Sequence, residues 1–194
     1  MSVLTHNGAV RHGVCLSLAV MAAQTAAAAA PQLGSPAPVT GIPMAAVWRE
    51  QRIDFFYMGR TSRYSCDGLR DKVRAMLLDL GARRDIRVSA MGCEGSLGPS
   101  LTIVVSTPAL PDAAAKPLHP GDLAAVDARF ETFTITSDPF RNMEIADCEL
   151  VEEFTRQILP KLVTRDLQQD ITCVPSQQNG SRFLVRGKIL RTLP

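Results

Sequence analysis

The sequence predicts an α+β protein, a two-layer sandwich assembled from two repeated βαββ units and stapled by disulfides. Three observations carry that expectation. Cys66 opens one helical stretch and Cys93 ends the apolar run after it; Cys148 opens a second and Cys173 ends the run that follows, at intervals of 27 and 25 residues. The apolar helix positions repeat in step: with Cys148 set on Cys66, Val151 falls on Leu69, Ile158 on Met76, Leu159 on Leu77 and Leu162 on Leu80. The order of strand-like and helix-like patterns is the same in both halves.

Residues 1–30 read as a signal peptide. Arg11 and His12 give a weakly basic start, Val14–Ala23 is apolar, and small residues run through Ala30 to Pro31. That three-part pattern is too short to span a bilayer with margin. Cys15 lies inside the apolar core and reads as an apolar residue of it. No later stretch is long and apolar enough to cross a membrane, so no transmembrane segment is expected in the mature chain. Residues 31–45 hold Pro31, Pro36, Pro38 and Pro43 with Gly34 and Gly41, and are expected to form a disordered leader. Order is expected to begin near Trp48.

The first unit, 46–107, starts with a strand at Arg52–Met58, aromatic-rich and partly alternating. After a polar loop from Gly59 to Ser65, Leu69, Val73, Met76, Leu77 and Leu80 line one helical face. Ser65 is placed as its N-cap, Asp67 suits the first turn, and Gly81 stands where a left-handed stop belongs. Ile86–Met91 and Leu101–Ser106 follow as strands, the latter rich in β-branched residues. Residues 108–127, with Pro108, Pro111, Pro117, Pro120 and Gly121, read as a linker.

The second unit, 128–194, repeats the order. Phe130–Thr136 alternates as a half-buried strand does, and Asp147 is the N-cap candidate before Cys148. Pro160 should end the second helix early. Arg165-Asp166-Leu167 matches Arg84-Asp85-Ile86, and Asn179-Gly180 marks a hairpin turn before the strand that begins at Arg182. A helix between two strands implies a parallel pair with a right-handed crossover, with the hairpin adding an antiparallel third strand. Two such units side by side, both helices on one sheet face, give a ferredoxin-like pseudo-duplicate.

Phe55-Phe56-Tyr57-Met58-Gly59, the stretch Tyr64-Ser65-Cys66-Asp67-Gly68-Leu69-Arg70-Asp71-Lys72-Val73 and Asp147-Cys148-Glu149-Leu150-Val151-Glu152 resemble a family of small exported proteobacterial proteins. The resemblance runs over most of the mature chain. It implies export and the repeated cysteines, and it supplies no catalytic residue.

Export leaves four cysteines and three ways to pair them. The repeat favours Cys66–Cys93 with Cys148–Cys173, one bridge per copy. Cys66 and Cys148 stand at helix starts, where the dipole lowers a thiol pKa, but redox pairs are close in sequence and these are not. Without residues 1–30 the chain carries 20 basic and 19 acidic groups, a balance that argues against nucleic acid as partner.

Catalytic chemistry finds little footing. The one histidine after residue 30, His119, sits between prolines in the linker and is a poor base for a Ser or Cys nucleophile. No Cys-x-x-Cys or His-x-x-x-His spacing offers a metal site, the scattered Met58, Met76, Met91 and Met143 read as packing rather than copper ligands, and no cofactor is expected. Asp54, Asp67, Asp71, Glu94 and Glu149 are carboxylates without a visible pairing. Arg182, Arg186 and Lys188 fall on one face of the last strand, and Arg60 and Arg63 flank the first helix; these five are candidate anion-binding residues. The expected role is a non-catalytic binding or structural module of the cell envelope, periplasmic or secreted, whose partner is an envelope protein or an anionic envelope component. The alternative is a carboxylate-based hydrolase with its cleft between the two units.

Overall fold

A computed structural model describes residues 41–60, 62–92, 98–111, 125–137, 143–175 and 180–193, all within one compact unit. The signal-peptide and leader assignments through residue 40, Cys15, Cys93, Glu94, His119 and Asn179 lie outside the described residues.

The elements are β1 (Met44–Phe56), α1 (Cys66–Asp79), β2 (Arg87–Met91), β3 (Ser100–Ala109), β4 (Ala125–Thr136), α2 (Cys148–Gln157), β5 (Thr164–Thr172) and β6 (Arg182–Thr192). One six-stranded sheet has the order β2-β3-β1-β4-β6-β5, and every neighbouring pair is antiparallel. The expected adjacent parallel pair is absent. β1 and β2 do run in the same direction, but β3 folds back between them, so the crossover through α1 spans a gap that the third strand fills. α2 likewise carries the chain from β4 to β5, with β6 between them. The ferredoxin-like order βαββαβ is not reproduced either, because α2 follows β4 rather than β3.

Ser65 caps α1: its Oγ accepts from the Gly68 N–H at 3.1 Å. Gly81, at φ +90°, ends that helix as its position suggests. α2 stops at Gln157, and Pro160 falls in the short 3-10 turn of Leu159–Lys161 that follows. β1 begins at Met44, four residues before Trp48, because Met44–Val47 pair with Ala125–Ala128 of β4. β3 reaches Ala109 and β4 starts at Ala125, so the connection is shorter at both ends than the expected 108–127.

Both helices lie on one face and share one core. Leu69, Val73, Met76, Leu77 and Leu80 of the first helical segment, and Val151, Phe154, Ile158, Leu159 and Leu162 of the second, pack with Ile53, Phe55, Leu101, Ile103, Phe133 and Val185. Ala46, Ala128, Phe130 and Leu190 form a smaller cluster on the opposite face. β3 and β6 flank the β1–β4 pair and are not hydrogen-bonded to each other, yet they approach closely. In a flat sheet three strand spacings of about 4.8 Å would separate them. The sheet must curl sharply about the β1–β4 seam, where two alanines are fully buried. Among the described residues no helix is long and apolar enough to cross a membrane.

Candidate functional site

The first cluster of polar groups forms where the loop after β1 meets the start of α2. Tyr57 and Tyr64 stack edge to face, with centroids 5.0 Å apart. The Tyr57 hydroxyl donates to Ser62 O at 2.8 Å, and Ser62 Oγ donates to Ala146 O at 2.6 Å. Tyr64 donates to Asp147 Oδ1, while Asp147 Oδ2 accepts from Lys72 Nζ and from the Glu144 N–H, each at 2.7 Å. Next to it, Glu149 Oε2 accepts from the Arg60 N–H at 2.7 Å. Asp147 is 3% exposed and Lys72 16%, so this is a buried ion pair tying α1 to the turn before α2.

Asp147 holds the N-cap position of α2, as the sequence suggests, but its carboxylate is used elsewhere. Its side chain makes no capping bond to that helix. It closes the preceding 3-10 turn (Ile145–Asp147) and reaches across to Tyr64 and Lys72 instead. The network was missed because an acid before a helix is already explained by capping. A signal did exist: the chain's two tyrosines bracket one polar loop.

Burial raises the pKa of both tyrosines well above the usual value near 10; the Glu149 charge adds to the shift of Tyr57, and the Asp147 hydrogen bond to that of Tyr64. A phenol whose folded pKa is raised holds its full contribution to stability below pH 10 and loses it as pH climbs above the unfolded value. Absorbance at 295 nm should therefore show no tyrosinate in the native protein at pH 10 to 11, and its rise should coincide with unfolding measured by circular dichroism. Ionisation of a tyrosine ahead of unfolding would contradict the buried network.

The second feature is a cleft of about 970 Å³ between α1 and β4. Ala75, Met76, Leu78, Asp79 and Leu80 form one wall, and Thr132–Thr136 with Met143 and Arg191 form the other. Asp79 is the one carboxylate among the described lining residues. The Arg191 guanidinium donates to Asp79 O at the end of α1 and lies 3.9 Å from Glu131. A shallower hollow of about 180 Å³ is lined by Met58, Gly59, Arg60, Cys173, Pro175 and the α2 acids Glu149, Glu152 and Glu153. Two of those acids are engaged, Glu149 by Arg60 N–H and Glu153 by Arg156 and Gln157. Among the described residues no cluster of His, Cys, Asp and Glu could hold a metal ion.

The candidate anion-binding residues are not brought into one site. Arg182, Arg186 and Lys188 do share the outer face of β6, but each meets a partner on β5: Arg182 with Asp170 at 3.4 Å, Arg186 Nε with Gln168 Oε1 at 2.8 Å, and Lys188 with Asp166 at 2.7 Å. Lys188 holds the Asp166 carboxyl below its usual range. The basic row is thus a cross-strand ladder. It flanks a bulge at Arg165–Gln168, where Asp166 adopts φ +54°. Such exposed pairs add little stability, but a bulged and charged edge strand resists pairing with other chains. Arg60 lines the hollow beside Cys173, and Arg63 is exposed in the same loop. Asp54 is exposed on β1, and Asp67 and Asp71 both pair with Arg70.

Cys148 and Cys173 are bonded, with Cα atoms 5.6 Å apart. Cys66 is also in a disulfide; Cys93, the partner expected for it, is outside the described residues. No family model, no curated protein and no solved structure matches this chain.

Proposed function

We propose that the chain is an exported, non-catalytic binding module of the cell envelope, built from two copies of a βαββ unit, with the α1–β4 cleft as its ligand site. The cleft carries the proposal. Its volume lies in the range of ligand sites, and its walls combine methionine, leucine, phenylalanine and isoleucine with threonine hydroxyls. A glycosidase-type hydrolase needs a second acid facing the first, and Asp79 has none among the described lining residues. The oxidised Cys148–Cys173 pair favours an exported site of action.

The registers support duplication. Cys66 and Cys148, which open the helices, and Ser100 and Arg182, which open β3 and β6, are each 82 residues apart. Met44 pairs with Ala128 and Ala46 with Val126; moving each residue by 82 exchanges these two pairs, with Ala45–Asp127 at the centre. The same step carries the Val47–Ala109 pair of β1–β3 onto the Arg129–Arg191 pair of β4–β6. It also carries Arg83 over Trp48 onto Arg165 over Phe130. A pseudo-twofold axis through the β1–β4 seam accounts for all of these.

The neutral apolar fluorophore N-phenyl-1-naphthylamine tests the cleft. It should brighten on the native protein, and Ala75→Trp, which fills the cleft from an exposed position on α1, should abolish the signal without lowering the melting temperature. Unchanged fluorescence in that variant would place the binding elsewhere and remove the support for this reading.

A further inference from the structure

Among the described residues, most of β4 has a strand on one side only. β1 engages Ala125–Ala128, Gly41 lies against the Phe130 backbone, and from Glu131 onward β4 pairs with β6 alone. In an antiparallel ladder the N–H and C=O of one residue point to the same side, and successive residues alternate. The Leu193 N–H donates to Asp127 O, so the odd-numbered residues of β4 face β6, and the register runs on unbroken to Thr136. The backbone groups of Thr132, Thr134 and Thr136 therefore point away from β6, and they find no partner among the described residues. Thr132 to Thr136 line the cleft without a gap. Consecutive residues do so when a cleft runs along a strand's edge, since successive side chains take opposite faces.

The matching edge of β1 shows what such a position requires. Past Val47, β1 pairs among the described residues with β3 alone, and the Tyr57 N–H donates to Pro99 O, so the even-numbered residues face the open side. There the Gln157 carboxamide takes both backbone groups of Phe56: its Oε1 accepts from the Phe56 N–H at 2.9 Å and its Nε2 donates to Phe56 O at 2.7 Å. A side-chain amide of α2 stands in for a neighbouring strand. α1 offers nothing equivalent to β4, since its cleft wall is Ala75, Met76, Leu78, Asp79 and Leu80. The Asp79 carboxylate is exposed and has no ion pair among the described residues, and it sits at the negative end of the helix dipole.

We infer that the ligand is an extended peptide that adds to β4 as a further strand. It pairs with the backbone of Thr132, Thr134 and Thr136, sets alternate apolar side chains against Met76 and Leu80, and places a cationic residue beside Asp79. The inference rests on the cleft being the binding site and names the chemical class of its occupant. Strand addition takes affinity from main-chain hydrogen bonds and selectivity from alternate side chains.

The probe is the acetylated, amidated heptapeptide Lys-Val-Thr-Val-Ser-Val-Lys, compared with a twin N-methylated at its five interior residues. In the isotope-labelled full chain, the first peptide should shift the amide resonances of Thr132, Thr134 and Thr136 and slow their hydrogen exchange about tenfold, and the twin should bind roughly tenfold or more weakly. Thr134→Pro deletes one donor on the open edge and leaves the β6 ladder whole. It should weaken the heptapeptide about tenfold while the naphthylamine still binds. If that variant fails to fold, the twin on the native chain decides. Equal binding of the twin, or shifts confined to other residues, overturns the proposal. Naphthylamine bound in the cleft with no heptapeptide bound overturns strand addition and leaves the cleft reading intact; failure of both probes overturns both.

Discussion

Replacing Asp147 by alanine is expected to destabilise the fold by about 3–5 kcal/mol, the cost of stripping one member from a buried, hydrogen-bonded ion pair. For a domain of this size that lowers the melting temperature by roughly 6–20 °C. The magnitude follows from what is left behind. Lys72 would keep its charge in a site where its side chain is 16% exposed, Tyr64 would lose the acceptor for its hydroxyl, and the Glu144 N–H would lose its cap. An exposed pair such as Arg182–Asp170 has water to fall back on and should cost at most about 1 kcal/mol when broken. Removing both charges, as Lys72→Met with Asp147→Leu, leaves no orphaned ion, so the double variant should be more stable than the sum of the two single losses by about 1–3 kcal/mol. Urea unfolding of the native protein, Asp147→Ala, Lys72→Met, Asp147→Leu and the double variant measures this directly. A loss below about 1 kcal/mol for Asp147→Ala would mean that water reaches the carboxylate and the network holds nothing together.

That network marks the boundary of what the sequence makes legible. Helix faces could be read because their determinants are local: Leu69, Val73, Met76, Leu77 and Leu80 recur at helical spacing, Ser65 can reach only its own helix, and all five apolar positions are buried. The matching residues Val151, Ile158, Leu159 and Leu162 are buried too. Strand order could not be read, because it depends on which distant segment closes the gap between β1 and β2. The alternation that identifies β3 as a strand is the same whether it pairs with β1 or lies at an edge. The use of the Asp147 carboxylate could not be read for a related reason. Its neighbours in sequence satisfy a capping argument, and the residues that use its charge, Tyr64 and Lys72, are 83 and 75 positions away. The cleft is less legible still. It exists because β4 runs eight residues past the end of its pairing with β1, a consequence of register that no residue type announces. The basic last strand shows the opposite error. Period two correctly put Arg182, Arg186 and Lys188 on one face, but Asp170, Gln168 and Asp166, which meet them, lie on the neighbouring strand β5.

Opening the Cys148–Cys173 bridge, by Cys148→Ala with Cys173→Ala, is expected to remove about 3–4 kcal/mol, the chain-entropy value for a loop closed across this separation. The location adds to the argument. Cys148 is the first residue of α2 and follows Asp147 directly, so the bridge and the ion pair hold the same helix end from two sides: Cys173 ties it to the end of β5, and Lys72 ties it to α1. Neither constraint is independent of the other. With the bridge gone, the turn before α2 gains freedom, Asp147 holds its three donors less well, and a subsequent Asp147→Ala should cost less than in the bridged protein. The expected signature is a non-additive pair, with an interaction of about 0.5–3 kcal/mol. Because a disulfide acts largely on the unfolded chain, the cysteine variant alone should keep the native helix content and the native tyrosine titration at low denaturant. Urea unfolding of the oxidised protein, the cysteine variant, Asp147→Ala and the triple variant completes the cycle. Strict additivity would show that the bridge works through chain entropy alone, with the Asp147 network standing by itself. A loss below about 1 kcal/mol in the cysteine variant would mean that α2 is held at its start by its packed face, through Leu150, Val151 and Phe154, rather than by the staple.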